Sequence, residues 1–379
     1  MPKVFEINRI EDLAPYRSRW AELLKQTPGA AFFQSLEWLE AYWRHFGPGQ
    51  KLRTMLVFSD DGVLSGIVPL TVRKENTKLG RFRVLTYPLH DWGSFYGPIG
   101  TDTSWALKAA LEHVQRTNRD WDWLDLRWQG APKTNPLEAA EAMEAAGLHC
   151  YQTLWDRTAI VELRGTWESY WASRKGSWRR RMKQALRKLK SLGEVSYVRY
   201  RPQEENLNEG ESRWDLYDAC EAIAQRSWQG ASSTGTTLSH PSVRDFLREV
   251  HRAAVAAAAV DLNLLMRHGS PIAFIYGYCW QGRVFGLRRG YDPILAPPGA
   301  GNILLMYTIR DSFLRGDRYY DMGVGSLESK RHFLTHLLPI LRYSHFPGGS
   351  IRVQLLRLRR WWQSRQWKAQ GSNSGYSSI

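Results

Sequence analysis

The chain has 379 residues, 43% of them hydrophobic, and a formal net charge of +15. That length suits two domains, each able to bury its own core, and the apolar content excludes a disordered protein. Apolar runs are short and broken by Arg or Asp, which excludes a membrane-spanning helix, and three scattered cysteines (Cys150, Cys220, Cys279) exclude a disulfide framework or a zinc site.

In chain order, the opening Met1 to Arg9 lacks the apolar core of a signal peptide, so a cytoplasmic, reducing location is expected. Periodicity predicts helices over 10–24 and 35–46, the second with Ser35 as N-cap and an apolar face of Trp38, Leu39, Tyr42, Trp43 and Phe46. A β-hairpin follows over 56–70, then a strand at 84–87 and a loop holding His90, Asp91 and Trp92. Helix 104–117, strand 123–128, helix 136–146 and strand 159–163 complete the first half. The second half opens with helices near 167–174 and 177–192, then 211–228 and 240–259. Hairpin 262–280, strand 283–288, helix 302–314 and strands 319–322 and 341–345 come next, before a Gly/Ser-rich tail from Gly371 that is expected to be disordered.

The two halves say the same thing twice. Hairpin, strand, Gly/Pro turn, helix and Asp-bearing strand recur in the same order roughly 200 residues apart, which points to two copies of one domain. The paired features are Gly97-Pro98-Ile99-Gly100 with Pro298-Gly299-Ala300-Gly301, and Trp123-Leu124-Asp125 with Tyr319-Tyr320-Asp321. The expected fold class is mixed α/β: two tandem domains, each a mainly antiparallel mixed sheet flanked by helices. The expected domains are 1–160 and 161–350, followed by a basic amphipathic tail over 351–379.

The charge is concentrated. Nine basic residues and no acidic one lie between Arg174 and Lys190, and six more follow Ile351, again without an acid; together they equal the whole excess. Such a field attracts phosphates, tRNA or an anionic membrane, unless it is only a solvated face. From Ile351 the sequence sets Ile351, Leu355, Leu358 and Trp362 on one helical stripe, which either packs back on the body or lies on a membrane.

The chemistry is expected at Pro298, Gly299, Ala300, Gly301 and Asn302. A strand, a glycine turn and an apolar helix put unsatisfied amides at a rigid helix start, a ready anion site. In the first copy the turn carries Asp102 instead, which disfavours a phosphate there.

These residues resemble the GNAT acyltransferase superfamily, in particular its double-domain FemAB-like branch, with likeness to CelD-type cellulose-biosynthesis acetyltransferases. The coenzyme A loop of that superfamily reads Gln/Arg-x-x-Gly-x-Gly/Ala; Ala296-Pro297-Pro298-Gly299-Ala300-Gly301 matches both glycines and departs at Ala296. Tyr291-Asp292 before the turn, Asp321 and Lys330 after it, Phe33-Gln34-Ser35-Leu36-Glu37-Trp38 and the basic stretch before the second domain's helices extend the likeness over residues 31–346.

The resemblance implies an N-acyltransferase with acyl-coenzyme A (acetyl-coenzyme A) as donor, no metal, and an amine of a sugar, envelope or exopolysaccharide precursor as acceptor. Two alternatives stand beside it: an aminoacyl-tRNA-dependent transferase using Arg174–Lys190, and a non-catalytic scaffold docked to membrane or nucleic acid. Catalytic candidates are Asp321 and Glu328 as base and Tyr291 as acid, with Asp292 and Tyr320 as substitutes. Lys330 joins Pro298–Asn302 as a donor contact, and His90, Asp91 and Trp92 are acceptor candidates in a first domain that has lost its donor. His332 and His336 lack the Glu of a metalloprotease motif, and neither a nucleophile elbow nor a P-loop occurs.

Overall fold

A computed structural model describes residues 2–130, 139–202, 212–227 and 237–373 with Gly230 and Gly235, and side chains as far as residue 362. The expected helix limits Pro136, Glu211 and Trp228, and the tail beyond residue 373, lie outside the described residues. The fold is mixed α/β and divides into two compact units, residues 1–156 with 339–379, and residues 157–338. The expected split near residue 160 therefore falls at 156/157. The strand expected at 341–345, assigned by sequence to the second domain, groups with the first.

The first unit begins with β1 (Lys3–Ile7), a 3₁₀ turn (Glu11–Tyr16), α1 (Arg17–Gln26) and α2 (Leu36–Phe46). Ser35 caps α2 as expected, accepting the Trp38 amide at 3.1 Å. Then come β2 (Lys51–Phe58), β3 (Leu64–Thr77), β4 (Gly80–Thr86), β5 (Ile99–Gly100), α3 (Thr103–Arg116), β6 (Trp123–Gly130), α4 (Ala139–Ala145) and β7 (Tyr151–Glu162). The sheet order is β1-β2-β3-β4-β6, with β5 also on β3. Neighbours are antiparallel except β4 and β6, which pair in parallel at Val84–Trp123 and Leu85–Leu124. A parallel pair needs a crossover, and α3 supplies it.

The second unit takes the end of β7, then α5 (Trp167–Ala172), α6 (Gly176–Ser191), β8 (Val195–Tyr200), α7 (Trp214–Arg226) and α8 (Arg244–Ala256). It continues with β9 (Val260–Arg267), β10 (Ser270–Trp280), β11 (Arg283–Tyr291), α9 (Ala300–Leu314) and β12 (Tyr319–Asp321). The order β8-β9-β10-β11-β12-β7 repeats the plan, with β11 and β12 parallel across the α9 crossover. β8 went unread because its alternation (Val195, Tyr197, Arg199, Arg201) ends on arginines. Arg199 is buried and meets Asp261 on β9 at 2.6 Å and Asp311 of α9 at 3.0 Å, so charge pairing stands where apolar alternation would.

β13 (His336–His345) enters the first unit at Pro339, pairs antiparallel with β6, and leads into α10 (Ile351–Asn373). Val353 and Leu356 of α10 pack against Phe82, Val84, Trp123 and Phe346.

Candidate active site

β11 holds the departure from regular structure that makes a site. On β10 the pairing jumps from Tyr276–Arg288 to Gly277–Gly286, so Leu287 has no cross-strand partner and sits in a bulge. On its other edge β11 pairs with β12 only from Arg283 to Phe285; beyond Asp321 the two chains part. Gly286 stands where they part, and a Cβ there would lie 2.9 Å from Tyr320 Oη and 3.3 Å from the Asp321 carbonyl oxygen. Only glycine leaves this slot open.

The slot widens into a cavity of about 420 Å³ lined by Ile275, Gly286 to Arg289, Leu305 of α9, Tyr320, Met322, and Val324, Gly325, Ser326, Ser329 and Lys330 of the loop that follows β12. Arg289 is paired with Ile275 and so shares its face. Burial lowers the Arg289 pKa, with Tyr320 opposing the shift, and burial pushes the Tyr320 phenol well up, so it is protonated at neutral pH. Lys330 Nζ donates to the Gly323 and Val324 carbonyls, each at 2.7 Å, and holds the loop that forms one wall. Among the described lining residues there is no carboxylate.

The glycine turn belongs to the helix that lines this cavity. Gly299 takes φ +92°, which favours glycine, and α9 starts at Ala300. The turn is more closed than its sequence suggests: the Ala300 amide donates to the Pro297 carbonyl at 3.1 Å and the Asn302 amide to the Gly299 carbonyl at 3.0 Å. Among the described residues the Gly301 amide has no acceptor. A Cβ at Gly301 would meet only Tyr291 Cδ1, at 3.7 Å, so space lies in front of it. Pro298 and Gly299 are exposed, and Ala296 is buried and offers no grip. Asp292 sets the turn: Oδ2 accepts Arg226 Nε at 2.7 Å, and Oδ1 accepts the Ile294 and Leu295 amides at 2.9 and 3.0 Å.

The basic stretch becomes α6, whose apolar side holds Trp178, Met182 and Leu189 in the core. Its Ala185 Cβ lies 3.5 Å from where a Gly299 Cβ would be, so the helix runs beside the turn. Lys175, Arg180, Arg181, Lys183, Arg187, Lys188 and Lys190 are exposed and form no ion pair among the described residues. Arg174 instead donates to the Leu334 carbonyl at 2.7 Å.

Several candidates read from the sequence fall elsewhere. Asp321 is buried, accepts from the Thr158 hydroxyl and the Gly323 amide (2.7 Å), and is not in the cavity lining; burial raises its pKa, with those bonds opposing. Glu328 is exposed and also outside the lining. Tyr291 is 44% exposed beside Gly301, at the turn rather than the slot. In the first unit His90 stacks on Phe46 at 4.2 Å and Asp91 is exposed. Trp92 is 1% exposed, so its ring is core and has no face for an acceptor sugar. Sequence reading missed Arg288 and Arg289; Gly286 two residues before an Arg-Arg pair within a strand was the available signal.

The slot, the turn and the crossover helix define an acyltransferase domain of GNAT type. Residues 176–331, about two fifths of the chain, match the family model described as Acetyltransferase (GNAT) domain. The structure of FemX is similar over 94% of this chain and 99% of its own, at 10% identity and a TM-score of 0.57. The C-terminal domain of a putative lysylphosphatidylglycerol synthetase from Agrobacterium fabrum covers 90% and 95%, at 10% identity and 0.52. L-PGS from Bacillus licheniformis covers 85% and 94%, at 13% and 0.50. These likenesses concern the fold. No curated protein matches the sequence.

Proposed function

We propose that the second unit transfers an acyl group from acyl-coenzyme A, acetyl-coenzyme A in the simplest case, to an amine of a sugar, envelope or exopolysaccharide precursor. The observation that carries this is the glycine-gated slot between β11 and β12, one helix away from a turn whose Gly301 amide is open. The Gly301 amide and the α6 cations receive the pyrophosphate, and the pantetheine arm runs along β11. The bulge frees backbone N–H at Leu287 to polarise the thioester carbonyl as negative charge develops. Tyr320 lines the slot and stays protonated, so it replaces Tyr291 as the acid for the departing thiolate. With no described carboxylate in the lining, rate comes chiefly from positioning a neutral amine. The first unit has lost its donor site and holds the acceptor.

The bare cation row of α6 favours a second reading, in which aminoacyl-tRNA is the donor. FemX-like and L-PGS-like folds are compatible with it. The test is free thiol release from acetyl-coenzyme A with amino-sugar acceptors, beside transfer from aminoacyl-tRNA. Thiol release that requires the acceptor and is lost in Tyr320→Phe supports the first reading. Transfer only from tRNA, falling steeply with salt and with Arg187→Gln/Lys188→Gln, supports the second.

A further inference from the structure

We infer that α10 is a peripheral docking helix for an anionic lipid bilayer, a property independent of which donor the cavity takes. The sequence leaves open whether the stripe Ile351, Leu355, Leu358, Trp362 packs on the body. It does not. Ile351 is 82% exposed and Trp362 62%, and Leu355, Leu358 and Trp361 are exposed beside them. The helix cannot roll this stripe inward, because its opposite face is fixed in the first unit. There Val353 and Leu356 are buried, Arg352 Nη2 donates to the Leu79 carbonyl at 3.0 Å, and Arg357 Nη1 donates to Tyr151 Oη at 3.0 Å. Arg360 lies 5.0 Å over the Trp123 ring and 3.4 Å from Asp125.

An aliphatic stripe ending in two tryptophans, on a helix rich in arginine, has the chemistry of an interfacial helix: apolar side chains enter the acyl boundary and indoles sit at headgroup level. Charge selects the occupant. After Glu328 the chain contains no Asp or Glu, while Arg359 borders the stripe. A second copy of α10 would bring arginine against arginine, and a nucleic acid offers no seat for Ile351, Leu355 and Leu358. An anionic membrane answers both the charge and the apolar stripe. No helix among the described residues is long and apolar enough to cross a bilayer, so the contact is peripheral.

The test is co-sedimentation of the full chain with vesicles of phosphatidylcholine alone and of phosphatidylcholine mixed with phosphatidylglycerol. Binding is expected only to the mixture, weakened about tenfold or more by Leu355→Ser/Leu358→Ser and about fivefold by Arg359→Gln. Leu355 and Leu358 are exposed and Arg359 is half-buried with no ion pair among the described residues, so the melting temperature should hold, and acetyl-coenzyme A binding should be unchanged. Wild type that ignores the anionic vesicles overturns the inference. So does binding untouched by the substitutions, which would assign it to another surface. A concentration-dependent dimer abolished by Leu355→Ser/Leu358→Ser, without vesicle binding, would give the stripe to a second copy.

Discussion

The two units run the same course of strands and crossover helix, yet one closes where the other opens. In the first unit β4 and β3 pair without a bulge, and Thr86 at the end of β4 donates to the Asp125 carbonyl at 2.6 Å, tying the parallel strands together. In the second, Gly286 follows the parallel pair and the strands part. The first unit caps its crossover helix with its own carboxylate, Asp102 accepting the Trp105 amide at 2.8 Å; α9 starts from Gly299 with no side-chain cap. Asp125, the counterpart of Asp321, accepts from Arg342 and Ser344 and pairs with Arg127 at 2.6 Å. Burial would raise its pKa, but Arg127, Arg342 and Arg360 outweigh burial and hold it well below the usual range. A duplicated site becomes scaffold when its empty positions are filled: a hydroxyl across the slot, a carboxylate on the helix start, arginines around the strand Asp.

Asp125 is where the two units differ most in what a single substitution should do. Asp125→Asn leaves buried arginines without their partner and should lower unfolding stability by about 3–5 kcal/mol in chemical denaturation. Donor binding at a temperature where the variant is folded should be unchanged; its loss would return the first unit to the chemistry.

His251 gives the second unit an acid sensitivity of its own. It is buried, Nε2 lies 2.8 Å from the Ser212 carbonyl, and burial, with Arg248 adding to it, lowers its pKa from 6.5 to about 4. The folded state therefore prefers the neutral ring. Its stability contribution is complete above pH 6.5 and is lost as pH falls toward 4, by up to ~3 kcal/mol. Denaturation midpoints against pH should flatten across that window in His251→Gln; an unchanged slope would show that other groups carry it.

Gly286→Thr puts a branched side chain into the second unit's slot. The 2.9 Å approach to Tyr320 should displace the donor and weaken acetyl-coenzyme A binding by roughly 10- to 100-fold, the equivalent of 1–3 kcal/mol of overpacking. Full affinity would mean that the slot is not the acyl path. Asp102→Ala should do least, costing about 1 kcal/mol of stability from a lost cap, with donor binding unaffected.

Much of this was legible beforehand because it rests on local chemistry. Hairpin patterns, Ser35 as a cap, the Pro298–Gly301 turn and the duplication are written in neighbouring residues. What escaped depends on distant ones. Nothing near Asp125 announces Arg342 and Arg360, and Trp92 reads as a stacking platform until the fold buries it. Asp321 and Glu328 have the residue type for a base, but one is spent on Thr158 and Gly323 and the other points to solvent. The bulge at Leu287 arises from the pairing of two strands, and one strand's composition does not encode it.

Calorimetric titration of acetyl-coenzyme A into wild type and Gly301→Asp decides whether the second unit's glycine turn receives the donor. The new side chain meets only Tyr291, and an acid in a helix's first turn favours the helix, so folding should be preserved and only an anionic ligand repelled. Micromolar binding by wild type and none by the variant, at equal melting temperature, is the expected outcome. Equal binding by both, or none by folded wild type, would take the donor site away from this turn.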